Sequence, residues 1–381
     1  MAGLSRKGEI SLKLYDTARQ QVLEFNAPKR VRIYTCGITP YDATHVGHAF
    51  VFLTFDVLRR RLVDMGHETI CVRNVTDVDD DILRKARELG VHYLDLAAEE
   101  IARFNADMKS LNVIPVTSEP RATSAISDIL KLIGIVLENG YGYISGGGVY
   151  FRTSKFASFG SISHLDRATM LSLAAERGGN LEDPNKEDPL DFVLWQPSLD
   201  DEPSWESRWG RGRPGWHIEC SALALRELGS TIDIHGGGTD LIFPHHECES
   251  AQSEVATGER FVRFWMHVAM VGYQGEKMSK SLGNLVFVSE LLKSWDPNVI
   301  RLAVLSHHYR KAWEWTDDEL QKAQIRFDSW KSSGIGTGAI EEVRNCLDED
   351  LNVPGALEVL DQVAASGVGV SKAAELLGVI L

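Results

Sequence analysis

Val31-Arg-Ile-Tyr-Thr-Cys36, then Gly37-Ile-Thr-Pro-Tyr-Asp-Ala-Thr-His-Val-Gly-His48, then the apolar run from Phe50 to Val63: this is the stretch whose reading decides the fold. Its β-branched and aromatic residues predict a strand over the first segment, Gly and Pro a turn over the second, and the long apolar run a helix. A second strand-like segment follows at Glu68-Thr-Ile-Cys-Val-Arg-Asn-Val75, and the acidic stretch Asp77 to Asp81 opens a helical pattern that runs to Leu89. Strand and helix alternate, which predicts an α/β fold with a doubly wound, Rossmann-like parallel sheet.

Outward from this unit the character changes. Between about Leu111 and Ser207 a helix near Ala122 to Leu137 gives way to Gly140–Gly148 and a loop-rich stretch with Pro184, Pro189, Pro197 and Pro203, as in an inserted subdomain. Strand-like Ile232-Asp-Ile-His235 and apolar Phe264 to Val271 are expected to resume the sheet, helical patterns dominate from Pro297, and a Gly/Ser linker is expected near Ser332 to Gly338. The predicted division is therefore 1–110 and 208–296 as two halves of a catalytic domain, 111–207 as an insertion, and 297–381 as a helical C-terminal region.

The chain has 381 residues, 44% of them apolar, enough for a sizeable core. Its net charge of −14 disfavours a broad basic surface for nucleic-acid backbone, though not a local basic groove. Five widely spaced cysteines in so long a chain predict reduced thiols and a cytoplasmic location. No signal peptide and no membrane span is read from the sequence, since no apolar window reaches ~20 residues.

Four elements carry chemistry. Thr44-His45-Val46-Gly47-His48 lies between the predicted strand and helix, where a glycine admits a phosphate chain to the backbone and imidazoles can donate to its oxygens. Alone it reads more readily as a helix start. Glu276-Lys277-Met278-Ser279-Lys280-Ser281 supplies two ammonium groups that can follow charge developing on a transferred phosphate, or a solvated basic loop. Asp233-Ile-His-Gly-Gly-Gly-Thr-Asp240 runs a strand into bare backbone that can lie under a nucleoside, with Asp240 as a ribose acceptor; a plain glycine turn is the alternative.

The fourth element has metal-ligand character. Cys36, Cys220, His245 and Glu249 offer S, S, N and O donors, and the i, i+4 spacing of the last two places them on one helix face. Spacing does not separate His245 from His246 or Cys248, nor Cys36 and Cys220 from ordinary buried cysteines. Cys71 and Cys346 read as packing residues, and Trp216 as either packing or one wall of a small pocket.

Taken together these segments resemble class I cysteinyl-tRNA synthetases and the related cysteine:glucosaminyl-inositol ligases of mycothiol biosynthesis, from about Leu12 to Leu360. The resemblance rests on Cys36 to His48, Asn74-Val-Thr-Asp77, Trp216-His-Ile-Glu-Cys220, Gly236-Gly-Gly-Thr-Asp240, Pro244-His-His-Glu247 and Lys277-Met-Ser-Lys-Ser281. Thr39 to Thr44, Glu176-Arg-Gly-Gly179, Asp188-Pro-Leu-Asp191, Met270-Val-Gly272 and His308 to Thr316 resemble the ligases more than the synthetases. Four positions depart: Asn180-Leu181 stands where the ligases carry Asp-Pro, Val51 where both families place a threonine, and Glu249 matches the synthetase zinc ligand. Residues 331–381 hold three Lys or Arg against eight Asp or Glu, a net charge of −5 that makes a poor RNA arm.

The resemblance implies the fold of a class I aminoacyl-tRNA synthetase. It implies one Zn2+ held by Cys36, Cys220 and His245, with Glu249 as a displaceable fourth ligand, and Mg2+ with ATP. His45, His48, Lys277 and Lys280 would act on the phosphates. Cys36, Gly37, Ile38, Thr39, Val51, Asn74, Val75, Thr76, Trp216, Gly238, Thr239, Asp240 and Val271 would bind ATP and the cysteinyl adenylate. The implied reaction is activation of L-cysteine followed by transfer to the amine of glucosaminyl-inositol, by a monomer, with tRNA as the competing acceptor.

Overall fold

The computed structural model describes residues 11–41, 43–278 and 283–381. At its centre lie four parallel strands in the spatial order Val262–Val268, Ile232–Gly238, Arg30–Ile38, Glu68–Val75. The strands are largely buried, yet they are not unbroken apolar runs: Arg32, Asp233, His235, Arg263 and His267 stand among Val31, Ile33, Ile234 and Phe264. The helix Val46–Asp64 crosses from the first strand to the second and buries Phe50, Leu53, Val57 and Leu58 against the sheet and the C-terminal helices.

That helix also buries charge. Asp56 is fully enclosed beside Arg60 and Arg301, and the Arg301 guanidinium further donates to the Leu111 and Leu377 carbonyls. Arg61 makes a bidentate contact with Asp348, at 2.8 Å on both nitrogens. The C-terminal helices are thereby tied to the back of the sheet by paired, hydrogen-bonded charges as well as by the apolar faces of Pro297–Leu305, Asp318–Ser333 and Val353–Ala365.

A second, antiparallel sheet is ordered Gly142–Ser145, Gly148–Phe151, Phe192–Pro197, Gly212–Pro214; its first three strands lie within 111–207 and its fourth just beyond that expected boundary. Its first hairpin turns on Gly146 and Gly147, with φ of 57° and 81°; two consecutive positive φ values are what a two-residue turn matching the strand twist requires. A second apolar cluster, including Ile129, Ile133, Phe151, Trp195 and Leu223, joins this sheet to the helices Ile126–Glu138 and Trp216–Leu228.

Three local expectations change. The sheet strand ends at Val268, and Val271 opens a separate small sheet with Glu276–Lys277 and Trp313–Trp315. The helix carrying Glu249 is entered through a kink: Phe243 is extended within the wide turn Ile242–His246, helical backbone then runs on into Glu247–Thr257, and His245 and Glu249 still share one face. The Gly/Ser segment near Ser332–Gly338 is a packed junction rather than a free linker, for Gly338 N donates to the Gly369 carbonyl at 2.9 Å and Gly336 N to Ser371 Oγ at 3.1 Å.

Candidate active site and metal centre

In an open parallel sheet the strands end in a crevice at their carboxyl edge, where strand order reverses. Here Arg30–Ile38 and its neighbour Ile232–Gly238 deliver Cys36 to Thr39 and Gly236 to Asp240 to that edge, and a single cleft of about 1720 Å³ opens above them. Gly37 is required by close packing: a Cβ there would stand 1.7 Å from the Asn74 carbonyl oxygen. Its N–H donates to Asn74 Oδ1 at 2.9 Å, which holds the strand end flat beneath the cleft.

Cys36, Gly37, Ile38, Thr39, His45, His48, Val51, Trp216, Gly238, Asp240, His245 and Val271 all line this cleft. His45 caps the helix Val46–Asp64, and its ring stacks on His48 with centroids 3.8 Å apart, so both imidazoles stand at the positive end of the helix dipole. Asn74, Val75, Thr76 and Thr239 do not line the cleft. Asn74 braces Gly37 and Thr76, Val75 is packed in a side cluster, and Thr76 N donates to the Ile38 carbonyl, so these three support the floor from behind. Lys277 lies on the short strand Glu276–Lys277. Lys280, with Ser279 and Ser281, falls outside the described residues.

One wall of the cleft is a buried donor cluster. Ligand atoms of Cys36, Cys220, His245 and Glu249 all lie within 4.8 Å of one another, from three separate elements. Cys36 comes from the strand Arg30–Ile38, Cys220 from the helix Trp216–Leu228, and His245 and Glu249 from the kinked helical segment 242–257. His245 Nε2 is 3.3 Å from Cys220 Sγ and 3.0 Å from Glu249 Oε1. Two thiols, an imidazole and a carboxylate at such separations fit a tetrahedral d10 cation such as zinc. Cys248 is excluded from the cluster because its side chain packs into the apolar core of the insertion.

The charges fit the same reading. Its hydrogen bond with Cys36 and the nearby His245 bring the Cys220 thiol down to about 6, against its burial. Burial lowers His245, but the Cys220 thiolate and Glu249 outweigh it and raise the imidazole to about 10. Burial raises Glu249, yet His235 and His245 hold it far below the usual carboxylate range. The protein thus pre-arranges thiolate, carboxylate and imidazolium in an enclosed site, the charge pattern a divalent cation would replace a proton in.

Spacing alone did not reveal the histidines behind this cluster. His235 Nε2 bonds Glu249 Oε2 at 3.0 Å, His217 Nδ1 lies 2.8 Å from His245 Nδ1, and His246 Nδ1 is 2.7 Å from Nε2 of His267, whose Nδ1 is 2.7 Å from Thr17 Oγ1. A second donor set, Cys36, His235, His246 and Glu249, overlaps the first. His217 and His235 sit within the Trp216-His and His-Gly-Gly-Gly segments, so the residue type was in view, but nothing along the chain indicates that they meet. Burial, followed by repulsion from neighbouring imidazoles, pulls His217 and His246 well below the ordinary value and His267 to about 3, leaving these rings neutral braces.

Comparison with known proteins agrees with this geometry. Residues 22–325 match the model described as tRNA synthetases class I (C) catalytic domain. The L-cysteine:1D-myo-inositol 2-amino-2-deoxy-alpha-D-glucopyranoside ligase of Thermobispora bispora is 47% identical over 364 residues, covering 94% of this chain and 90% of that protein. The ligase of the same name from Nocardiopsis dassonvillei is 48% identical, over 92% and 88% of the two chains. The fold is similar to Mycobacterium tuberculosis methionyl-tRNA synthetase in complex with methionyl-adenylate, with a TM-score of 0.66 at 15% identity over 92% of this chain and 87% of that one. The chain belongs to the class I (C) tRNA synthetase catalytic-domain family, among the relatives named L-cysteine:1D-myo-inositol 2-amino-2-deoxy-alpha-D-glucopyranoside ligase.

Proposed function

We propose that the protein activates L-cysteine with Mg-ATP as cysteinyl-AMP and transfers the cysteinyl group to the amine of glucosaminyl-inositol, forming an amide. The observation that carries this reading is the Cys36, Cys220, His245, Glu249 cluster set into the wall of a nucleotide-type cleft, in a chain nearly half identical to ligases of that name.

Cys36, Cys220, His245 and Glu249 are the residues that would hold a zinc ion, and such an ion supplies a soft Lewis-acid partner for the substrate thiolate. That chemistry favours cysteine over serine, which an apolar pocket would discriminate poorly. The flat Trp216 ring, stacked on His245 at 4.1 Å, walls the amino-acid end. His45 and His48 at the helix N-terminus, with Lys277 and Lys280, stabilise charge on the α-phosphate and pyrophosphate as the cysteine carboxylate attacks in line. Gly238, Asp240 and the backbone at Val271 receive the adenosine, with Thr239 holding the chain between the first two. In this reading residues 1–110 and 208–296 act as the catalytic halves, 111–207 closes over the acceptor side, and 297–381 braces the sheet.

The test is cysteine-dependent pyrophosphate–ATP exchange, followed by product analysis with cysteine, ATP and either glucosaminyl-inositol or tRNA. Exchange with cysteine but not serine, and a cysteinyl amide of the sugar amine with AMP release, are expected. Absence of exchange overturns the activation step, and cysteine transfer to tRNA but not to the sugar overturns the acceptor.

A further inference from the structure

Transfer of an activated acyl group needs a seat for the group that receives it, and the cleft has room for one: about 1720 Å³ exceeds the ~300–1,000 Å³ of ordinary ligand pockets. One side of it is walled by the insertion, through Tyr150, Asn180, Asp183, Asn185, Lys186 and Gln196 among others. Part of this wall is fixed from within. Asp183 accepts from Tyr150 Oη at 2.9 Å on Oδ2, and from Asn185 N and Nδ2 at 2.9 and 3.0 Å on Oδ1. Gly146 of the first hairpin packs so closely that a Cβ there would stand 2.2 Å from Asn185 Oδ1.

Two half-buried side chains on this braced wall have no use inside the protein. Lys186 follows Asn185 directly, and its ammonium makes no ion pair and no hydrogen bond among the described residues. Gln196, on the strand Phe192–Pro197, pairs with Arg213 through its backbone, and its carboxamide is likewise without a partner among the described residues. Burial lowers the Lys186 ammonium against the fields of Asp183 and Asp191, so a ligand oxygen that accepts from it relieves a cost. Asn180, at the exposed rim, spends Oδ1 on Glu182 N at 3.1 Å and has its NH2 group to spare.

Charge decides what such groups can take. The other cation that the insertion brings to the cleft, Arg177, spends Nη1 on the Asp240 carbonyl at 2.6 Å and also contacts the Phe243 carbonyl. Arg84 and Lys85, which line the cleft from the helix Asp80–Leu89, are paired with Asp81 and Glu88. Glu176, Asp183 and Asp191 stand on the insertion side with Lys186. One uncommitted ammonium among three carboxylates is a poor seat for a phosphate chain. Three donors on Lys186, with a donor and an acceptor on Gln196, instead match hydroxyl groups, which accept and donate in turn.

We propose that Lys186 and Gln196 determine acceptor specificity, holding the hydroxyls of a polyol-bearing amine on the insertion wall with Asn180 at its rim. This rests on the ligase reading above and adds to it the residues that prefer a sugar to the phosphate-rich end of a tRNA. The Lys186 ammonium also repels a like charge, so the acceptor lies with its hydroxyls on the wall and its amino group turned away from it, toward the adenylate.

The experiment follows sugar transfer and pyrophosphate exchange in the full-length holoenzyme, in Lys186→Met and in Gln196→Leu, with Lys186→Arg as the conservative variant. Loss of a charge-assisted hydrogen bond should raise KM for glucosaminyl-inositol about tenfold in Lys186→Met, and loss of a neutral one should raise it several-fold in Gln196→Leu. These rises should far exceed any change in KM for cysteine in exchange, and Lys186→Arg should recover part of the loss. In the wild-type protein, glucosaminyl-inositol should shield Lys186 from brief acetylation relative to the other lysines, as mapped by mass spectrometry; this measurement decides the matter where a variant fails to fold. Equal rises in KM for sugar and cysteine, an unchanged KM for the sugar in both variants, or Lys186 acetylated equally with and without the sugar overturn the assignment. Shielding by tRNA and not by the sugar overturns the polyol class. A wild-type enzyme that fails in exchange overturns instead the ligase reading on which the assignment rests.

Discussion

Replacing Glu249 by glutamine keeps the shape of the side chain and removes its charge. In the folded protein the carboxylate is wholly enclosed and bonds His235 and His245 at 3.0 Å each, from opposite oxygens. Two charge-assisted hydrogen bonds of ~2 kcal/mol each are lost, and the uncharged amide oxygen recovers ~1 kcal/mol with one imidazole, so the metal-stripped variant should be about 3 kcal/mol less stable. The assay is urea denaturation of the stripped proteins at neutral pH, comparing midpoints at equal slope. Because the folded carboxyl titrates below its unfolded value, the contribution is present above the unfolded value of ~4.3 and disappears as pH falls toward the folded one. The difference between wild type and variant should therefore close in acid. In a chelator competition at neutral pH, zinc affinity should drop about 10–100-fold if Glu249 only orients His245, and further if it is itself a donor. Equal stability and equal zinc affinity would refute the reasoning, since the carboxylate could not then be ionised between the two imidazoles.

Gly37→Ala places a methyl group 1.7 Å from the Asn74 carbonyl oxygen, so the strand end must move; exchange activity should be abolished and thermal stability lowered, read by the exchange assay and calorimetry. The neutral histidines predict acid sensitivity in the metal-stripped protein. His217, His246 and His267 titrate below their unfolded value of ~6.5 when folded, so the unfolded chain binds more protons below that pH. Stability should be full above ~6.5 and fall by up to about 1.4 kcal/mol per pH unit for each ring below it, as seen in urea midpoints between pH 7 and 5. A flat profile would show the rings to be protonated or solvated in the fold.

Much of the architecture was legible because burial on both faces writes itself into composition. Val31 to Cys36 and Glu68 to Val75 are apolar enough to be central strands, and the Phe50 to Val63 run is long enough only for a helix. The break after Val268 was not legible. Val271 continues an apolar run, and what moves it into another sheet is its pairing with Trp313, forty-two residues downstream. The kink at the extended Phe243 was not legible either, whereas the helical spacing of His245 and Glu249 was, and the two side chains meet at 3.0 Å.

By itself, then, the sequence determined the alternation of strands and helices, the change of character after about Leu111, and the supply of thiols, imidazoles, carboxylates and glycines at strand ends. These are properties of short segments, set by side-chain shape, polarity and backbone freedom. Only the tertiary structure decided which of them meet. Cys36 and Cys220 stand 184 positions apart along the chain, and it is the parallel pairing of Arg30–Ile38 with Ile232–Gly238, and the packing of the helix Trp216–Leu228 beside them, that brings both sulfurs to His245 and Glu249. The same assembly threads His246 and His267 behind the cluster. Local preference carries no information about such meetings, because the free energy that enforces them comes from burying surfaces that touch only once the whole sheet has formed.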